Sequence, residues 1–500
     1  MGRRFCRRAP PPGETCAMAA ARPGGRRRPR GRVSSRLRQV SGRGGSQWAY
    51  RGGTRFRRGA REAARVAARF RSPDTERPPR SPQERWGLRA CVAAICLYWF
   101  SLYLYVPVLA PRAQRLGAGV AGVGLVLAAY GFVQFLLRIP TGLWSDRLGR
   151  RRPFMLAALL ACAAAAVGMG AARGPLPLGL FRATAGLGAC GWVAITLLFA
   201  EFFPEERAPW AFGVLGFLAT GSQLVASLAG GLLARAAGFG APFFGAALLA
   251  AVGVLVLLPV REPASARPQG RGGPGASPPT LRERLAIGRQ PAVLSASALS
   301  IASHYITFVT TFGFTPLLAA DRFGAGGGAL GVLSVCAGAP AAAGSLLSGR
   351  LAARWAPRRI VALGFILAGV GTALLVFAPS LPALDALSGL NGLGVGLVGP
   401  SLMTAAVAGF PANRRGAAMG FYQSLYAIGM FGGPSLAGWV GSRLGMGGLF
   451  GTTGVLAGCA ALAAWPLLPG GRAVSGGPTP PRAEPAPQPE AVGAGASPPA

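Results

Sequence analysis

A chain of 500 residues in which 51% are apolar, 13% are charged and 77 are glycine describes lipid-facing helices better than a soluble core. Its formal charge of +37 comes from arginine alone, because lysine is absent, and about half of the arginines precede residue 90. The charge therefore says little about the body of the protein, and tail and body have to be read apart.

Residues 1–86 are rich in Pro, Gly and Arg and lack apolar periodicity. Such a segment could bind nucleic acid or anionic lipid, or serve as a transit peptide; disorder, or translation from an upstream start in a GC-rich gene, is the plainer reading. Within it only REAARVAARF, 61–70, offers a surface helix, with Arg61, Arg65 and Arg69 on one face. Beyond the tail, apolar segments of membrane-spanning length fall at 88–110, 120–143, 154–172, 176–200, 210–234, 241–259, 294–318, 327–349, 359–378, 383–408, 416–441 and 448–468. Those twelve predict an all-α membrane protein: a first half over 87–260, a flexible linker at 261–290 rich in Pro, Gly and Arg, a second half over 291–468, and a disordered Pro/Ala/Gly tail over 469–500. If the first helix leaves the cytoplasm, the cytoplasmic loops hold about 17 arginines against about 6 on the far side, which places both termini in the cytoplasm.

Three stretches repeat at one shift. RLGAG at 115–119 matches RFGAG at 322–326, GLWSDRLGRRR at 142–152 matches GRLAARWAPRR at 349–359, and FPEERAPWAFG at 203–213 matches FPANRRGAAMG at 410–420, each displaced by 207 residues. One ungapped interval implies two homologous six-helix halves, and an even number of spans between them gives both the same orientation. Parallel halves of this kind hold a solute between them near the membrane midplane.

The stretch at 142–153, between the second and third spans, resembles the signature loop of the major facilitator superfamily, with Gly142, Asp146, Arg147, Gly149, Arg150 and Arg151 at the matching positions and Trp144 and Ser145 departing. Glycines let helices close on one another, and a carboxylate at a helix end can face a guanidinium or a positive helix terminus in one state and lose it in another. A gate follows, and an asymmetric one, since the second copy keeps Gly349, Arg354, Arg358 and Arg359 but has Ala353 where the aspartate would stand. RATAGLGA at 182–189 is similar to the family's fourth-helix motif, in which the arginine is thought to assist proton coupling; Arg182, Gly186 and Gly188 match and Ala185 replaces the usual glutamine. Arg182 either serves the cavity or coupling, or lies near the outer end of its helix and snorkels. The fifth-helix antiporter motif is degenerate at 213–231, whereas GMFGGPSLAG at 429–438 carries its glycine and proline pattern in the eleventh helix, where it reads as a packing element.

The resemblance implies that the first helix of each three-helix group lines the cavity. In the seventh span Ser297, Ser300, His304, Thr307 and Thr311 recur on one helical face. His304, the one histidine of the chain, either carries a proton as the cavity alternates or makes a hydrogen-bonded helix contact. Softer candidates are Tyr98, Trp99, Tyr103 and Tyr105 in the first span, Tyr130 and Gln134 in the second, Trp192 in the fourth, Gln223 in the fifth, Asn391 in the tenth, and Tyr422, Gln423 and Tyr426 in the eleventh. These aromatics suit an interface belt as well as a binding wall.

Membrane carboxylates are scarce. Glu201 and Asp385 sit at helix ends and no acid occupies a mid-span position, which points to neutral or anionic substrates, or to coupling through His304 or a rim carboxylate such as Glu201. No GxxxxGK[ST] loop is present and the eight cysteines show no CxxC pair or metal-ligand spacing, so neither ATP nor a metal nor another cofactor is expected. The sequence thus predicts a monomeric, proton-linked exporter of a small organic molecule in the plasma membrane lipid bilayer, with no nucleic-acid partner. Uptake or facilitated diffusion of a metabolite is the alternative, and a membrane anchor acting through the basic tail is a third reading.

Overall fold

The computed structural model describes residues 82–148, 150–203, 208–260, 286–410 and 412–470. The basic tail up to 81 with its REAARVAARF stretch, the linker residues 261–285, the C-terminal tail from 471, Gly149, and the side chains of Asp146 and Arg147 lie outside the described residues.

Among the described residues, ten helices are long and apolar enough to cross a membrane: Pro82–Arg115, Val120–Gly142, Arg152–Ala171, Pro175–Glu201, Gly213–Ala237, Pro291–Phe323, Gly327–Ala352, Pro357–Phe377, Leu381–Val407 and Ala418–Leu467. A shorter apolar helix, Ala241–Leu257, follows the fifth. The last is two passes joined at Gly445, whose φ of +68° breaks the helical path. The chain turns back there, since a Cβ on Gly441 would meet the Leu449 side chain at 2.8 Å. Twelve passes result, and they are numbered in chain order as spans below.

Proline at the first or second helical position opens the third, fourth, sixth, seventh, ninth and tenth spans. Its missing N–H is harmless there, because the first donors of a helix have no intrahelical acceptor.

The repeat reaches further in the backbone than in the sequence. The glycines with positive φ are Gly117 (92°), Gly238 (83°), Gly324 (63°) and Gly445 (68°), and they form two pairs separated by the same 207 residues. All four lie in turns at one end of the bundle, opposite the 149–151 turn. Contacts between the halves obey the same relation. Gly124 of the second span meets Gly438 of the eleventh, and Gly331 of the eighth meets Gly231 of the fifth; a Cβ on Gly124 would lie 3.0 Å from the Gly438 Cα, and one on Gly331 would lie 3.0 Å from the Gly231 Cα. Adding 207 to Gly124 gives Gly331, and subtracting 207 from Gly438 gives Gly231. In lipid there is no hydrophobic drive to join helices, so close approach of small residues and the dispersion it permits hold such surfaces together.

Both glycine contacts sit toward the end that carries the positive-φ turns. At the opposite end, Gly213, Gly216 and Gly221 of the fifth span and Gly349 of the eighth would meet nothing within 4 Å if given a Cβ. At the end that carries the positive-φ turns the halves are thus in direct backbone contact.

Three spans that bound the space between the halves are broken near their middles. The first bends at Leu104 and Tyr105, between Pro82–Tyr103 and Val106–Arg115. The fourth is interrupted at Gly191, and the seventh opens into a π-helical turn over Thr310–Phe314. Such irregularities free backbone groups and favour sites where helices bend or bind.

Candidate transport site

Arg182, in the fourth span, is 4% exposed. Its Nη1 donates to the Tyr105 hydroxyl at 3.2 Å, and its guanidinium lies 4.1 Å from the Tyr130 ring centre. Gly186, one turn on, allows this approach: a Cβ there would stand 2.5 Å from the Tyr130 carbonyl oxygen. The group is thus held inward by aromatic rings rather than extended to an interface, and cation–π contact replaces part of its lost hydration. Beside it Tyr98 donates to the Gly188 carbonyl at 3.3 Å, and Trp99 packs edge-on against Trp192 at 4.8 Å. Tyr103, half-buried, reaches across to Phe312 of the seventh span at 5.5 Å.

A second cluster straddles the halves lower in the bundle. The His304 ring stacks on Tyr426 with centres 3.9 Å apart and planes 3° apart. His304 Nδ1 lies 2.9 Å from the Ser300 carbonyl oxygen. A carbonyl can only accept, so Nδ1 carries the hydrogen and Nε2 is left as the acceptor. Ser300 Oγ is also 2.9 Å from the Tyr422 hydroxyl. The new member of this cluster is Arg138, which sequence reasoning passed over: it is 5% exposed, donates through Nη1 to Gln134 Oε1 at 3.3 Å, and lies 5.5 Å from the Tyr426 ring. A single arginine within the apolar run 120–143 was the available signal.

The polar face of the seventh span follows an α-helix through Val309 and then widens. Ser297 and Ser300 are buried, His304, Thr307 and Thr311 half-buried. The π turn brings Thr310 inward, where its Oγ1 donates to Asn391 Oδ1 at 3.2 Å. The Asn391 amide in turn donates to Thr372 Oγ1 at 2.7 Å and to the Ala368 carbonyl at 3.3 Å, which ties the tenth span to the ninth. Thr310, Thr311, Ser388 and Asn391 line a small pocket there, apart from both arginine clusters. Thr307 bonds back to the Ser303 carbonyl, and Gln223 and Gln423 are half-buried.

In the signature loop, Arg151 Nη1 donates to Ser145 Oγ at 2.6 Å, and its Nε stands 3.7 Å from Glu201 Oε1 at the end of the fourth span. Arg152 donates to the carbonyls of Leu257 and Leu258 at the end of the sixth span. Gly142 faces Val193, where a Cβ would be in ordinary contact at 3.7 Å. Arg150 is exposed. These bonds stay within the first half, at the end of the bundle opposite the positive-φ turns. GMFGGPSLAG packs in two directions: Gly429 and Gly433 face Ile301 and Tyr305 of the seventh span, while Gly438 faces the second span.

The model of the Major Facilitator Superfamily matches residues 91–329 and 297–498, most of the chain. The chain belongs to the major facilitator superfamily. A chloramphenicol resistance protein of Streptomyces lividans is 30% identical over 58% of this chain and 71% of its own length. The inner membrane transport protein YajR of Escherichia coli is 27% identical over 37% of this chain, a match that spans 40% of that relative. Among solved structures, a bacterial homologue of the human lysosomal transporter Spinster, in an inward-facing and occupied conformation, aligns with a TM-score of 0.63 at 18% identity, covering 78% of this chain and 97% of that one. At that identity the likeness is one of fold. This superfamily member is a multi-pass membrane transporter, and its broken spans and paired glycine contacts are features of a secondary carrier with two movable halves.

Proposed function

We propose that the protein exports a small organic molecule from the cytoplasm in exchange for protons, as a monomer in the plasma membrane with both termini cytoplasmic. The observation that carries this reading is the close glycine contact between the halves at the end with the positive-φ turns, with the Arg182 and His304 clusters on the other side of it. With the arginine-rich loops cytoplasmic, the end opposite the glycine contacts faces the cytoplasm, the side from which an exporter loads. The relative named for chloramphenicol resistance supports export as the direction. His304, with Nε2 available to bind a proton and its ring stacked on a residue of the eleventh span, is the residue to which we assign coupling.

The test is flux in proteoliposomes holding the full chain, with and without an imposed pH gradient, across a panel of dyes, antibiotics and metabolites. Movement that requires the gradient and opposes proton flow supports exchange. Movement in the direction of proton flow would favour uptake, and gradient-independent movement would make the protein a facilitator.

A further inference from the structure

We infer that the cavity takes its substrate as an organic anion, and that Arg138 is the residue that receives the negative charge. The inference rests on the transporter reading above and narrows it to a class of substrate.

Arg138 lies four residues from Gly142, at the end of its span, and could have extended to the nearby interface. It does not. Helical side chains lean toward the N terminus of their helix, which in the second span is the direction of the membrane centre. The bond to Gln134, one turn deeper, and the approach to Tyr426 show the guanidinium turned that way. Arg138 Nε and Gln134 Nε2 are both buried without a hydrogen-bond partner.

No carboxylate among the described residues answers this charge. Glu201 pairs with Arg151, Asp321 accepts from Gln114, Asp385 stands in the first turns of the tenth span, and Glu84 in the first turn of the first. Arg182 is in the same position: buried, held by tyrosines, its Nε without a partner and no described acid paired with it. Tyr130, which holds Arg182, and Gln134, which holds Arg138, are one turn apart on the second span, so one helix face presents both cations to the space between the halves.

An isolated buried charge is costly, and contact with rings and neutral oxygens recovers only part of the loss. The missing partner is an anion that arrives from solution. A guanidinium matches carboxylate, sulfonate and phosphate geometry with paired N–H donors. The rings of Tyr426 and His304, beside Arg138, suit a flat apolar body attached to that group. A permanent organic cation would meet two like charges and, among the described residues, no acid.

The experiment uses the purified full-length protein and three probes: carboxyfluorescein as an anion, ethidium as a cation, and chloramphenicol as a neutral compound. Binding of carboxyfluorescein is followed by fluorescence polarisation and its flux in proteoliposomes. The wild type is expected to bind and move it, with binding weakened by added salt. Arg138→Gln should weaken binding by about tenfold or more, while Arg138→Lys, which keeps the charge, should retain most of it; size-exclusion profiles report whether each variant folds. Transport of ethidium or chloramphenicol without binding of carboxyfluorescein, or binding unchanged in a folded Arg138→Gln, overturns the anion assignment and leaves the transporter reading standing. Arg138-dependent binding with no flux of any probe does the reverse.

Discussion

Gln114 donates from Nε2 to Asp321 Oδ2 at 3.1 Å, and the two residues are separated by 207 positions, the interval that relates the two halves. A residue and its own repeat counterpart can touch only beside the axis that exchanges them. The bond therefore marks where that axis leaves the protein, at the end where the halves are joined. If alternating access opens that end, the bond must break in every cycle. Cysteines at 114 and 321, in a background without the native thiols, should allow a short bifunctional reagent to stop transport, while either single cysteine leaves it unaffected. Full activity after cross-linking would show that this end does not open.

The glycine contact between the fifth and eighth spans offers a second handle on the same equilibrium. A Cβ at Gly231 would stand 2.5 Å from the Gly331 Cα, so Gly231→Val is incompatible with the closed contact. The variant should populate the opposite state, with thiol reagents reaching cysteines placed near 117 or 324 about tenfold faster, a bias of ~1.4 kcal/mol in population terms. An unchanged labelling rate would mean that the contact relaxes without separating the halves.

For the signature loop, Asp146→Asn is expected to abolish flux while leaving the protein in the membrane at its usual level. The substitution keeps shape and removes charge, so it isolates the electrostatic part of the gate. Normal flux would remove Asp146 from the gate and leave the loop as a turn held by the Arg151 and Arg152 bonds.

His304→Ala should flatten the dependence of transport on pH, because the imidazole is the group assigned to proton coupling. Tyr426→Phe keeps the stacked ring and serves as a control for packing alone. An unaltered profile in His304→Ala would return the histidine to helix packing and move coupling elsewhere.

Much of this architecture is legible in sequence. Span positions follow from apolar length, and the three repeated stretches already contain the interval that governs the glycine contacts. Arg182 could be flagged because it stands in a recognisable motif. Arg138 could not be placed so readily, because near a span end a lone arginine suggests snorkelling until the direction of its side chain is known. The pairing of Arg151 with Glu201 joins residues 50 positions apart across a turn, and no local pattern encodes it. The π turn is equally silent: counting by threes and fours puts Thr311 on the polar face, while the widened turn brings Thr310 to Asn391. A one-residue change of helical pitch has no compositional signature.

Gly445 has a consequence of its own. With φ of +68° and ψ of −176°, a conformation that residues with a side chain rarely adopt, it turns the chain from the eleventh span into the twelfth with one non-helical residue between them. A hinge this short has no slack. The eleventh span, which carries Tyr422, Tyr426 and Gly438, cannot slide without dragging the twelfth, so those two passes behave as one bent lever. That turn is also the wrong place for an inserted tag or antibody epitope, since lengthening it would uncouple the lever from its arm.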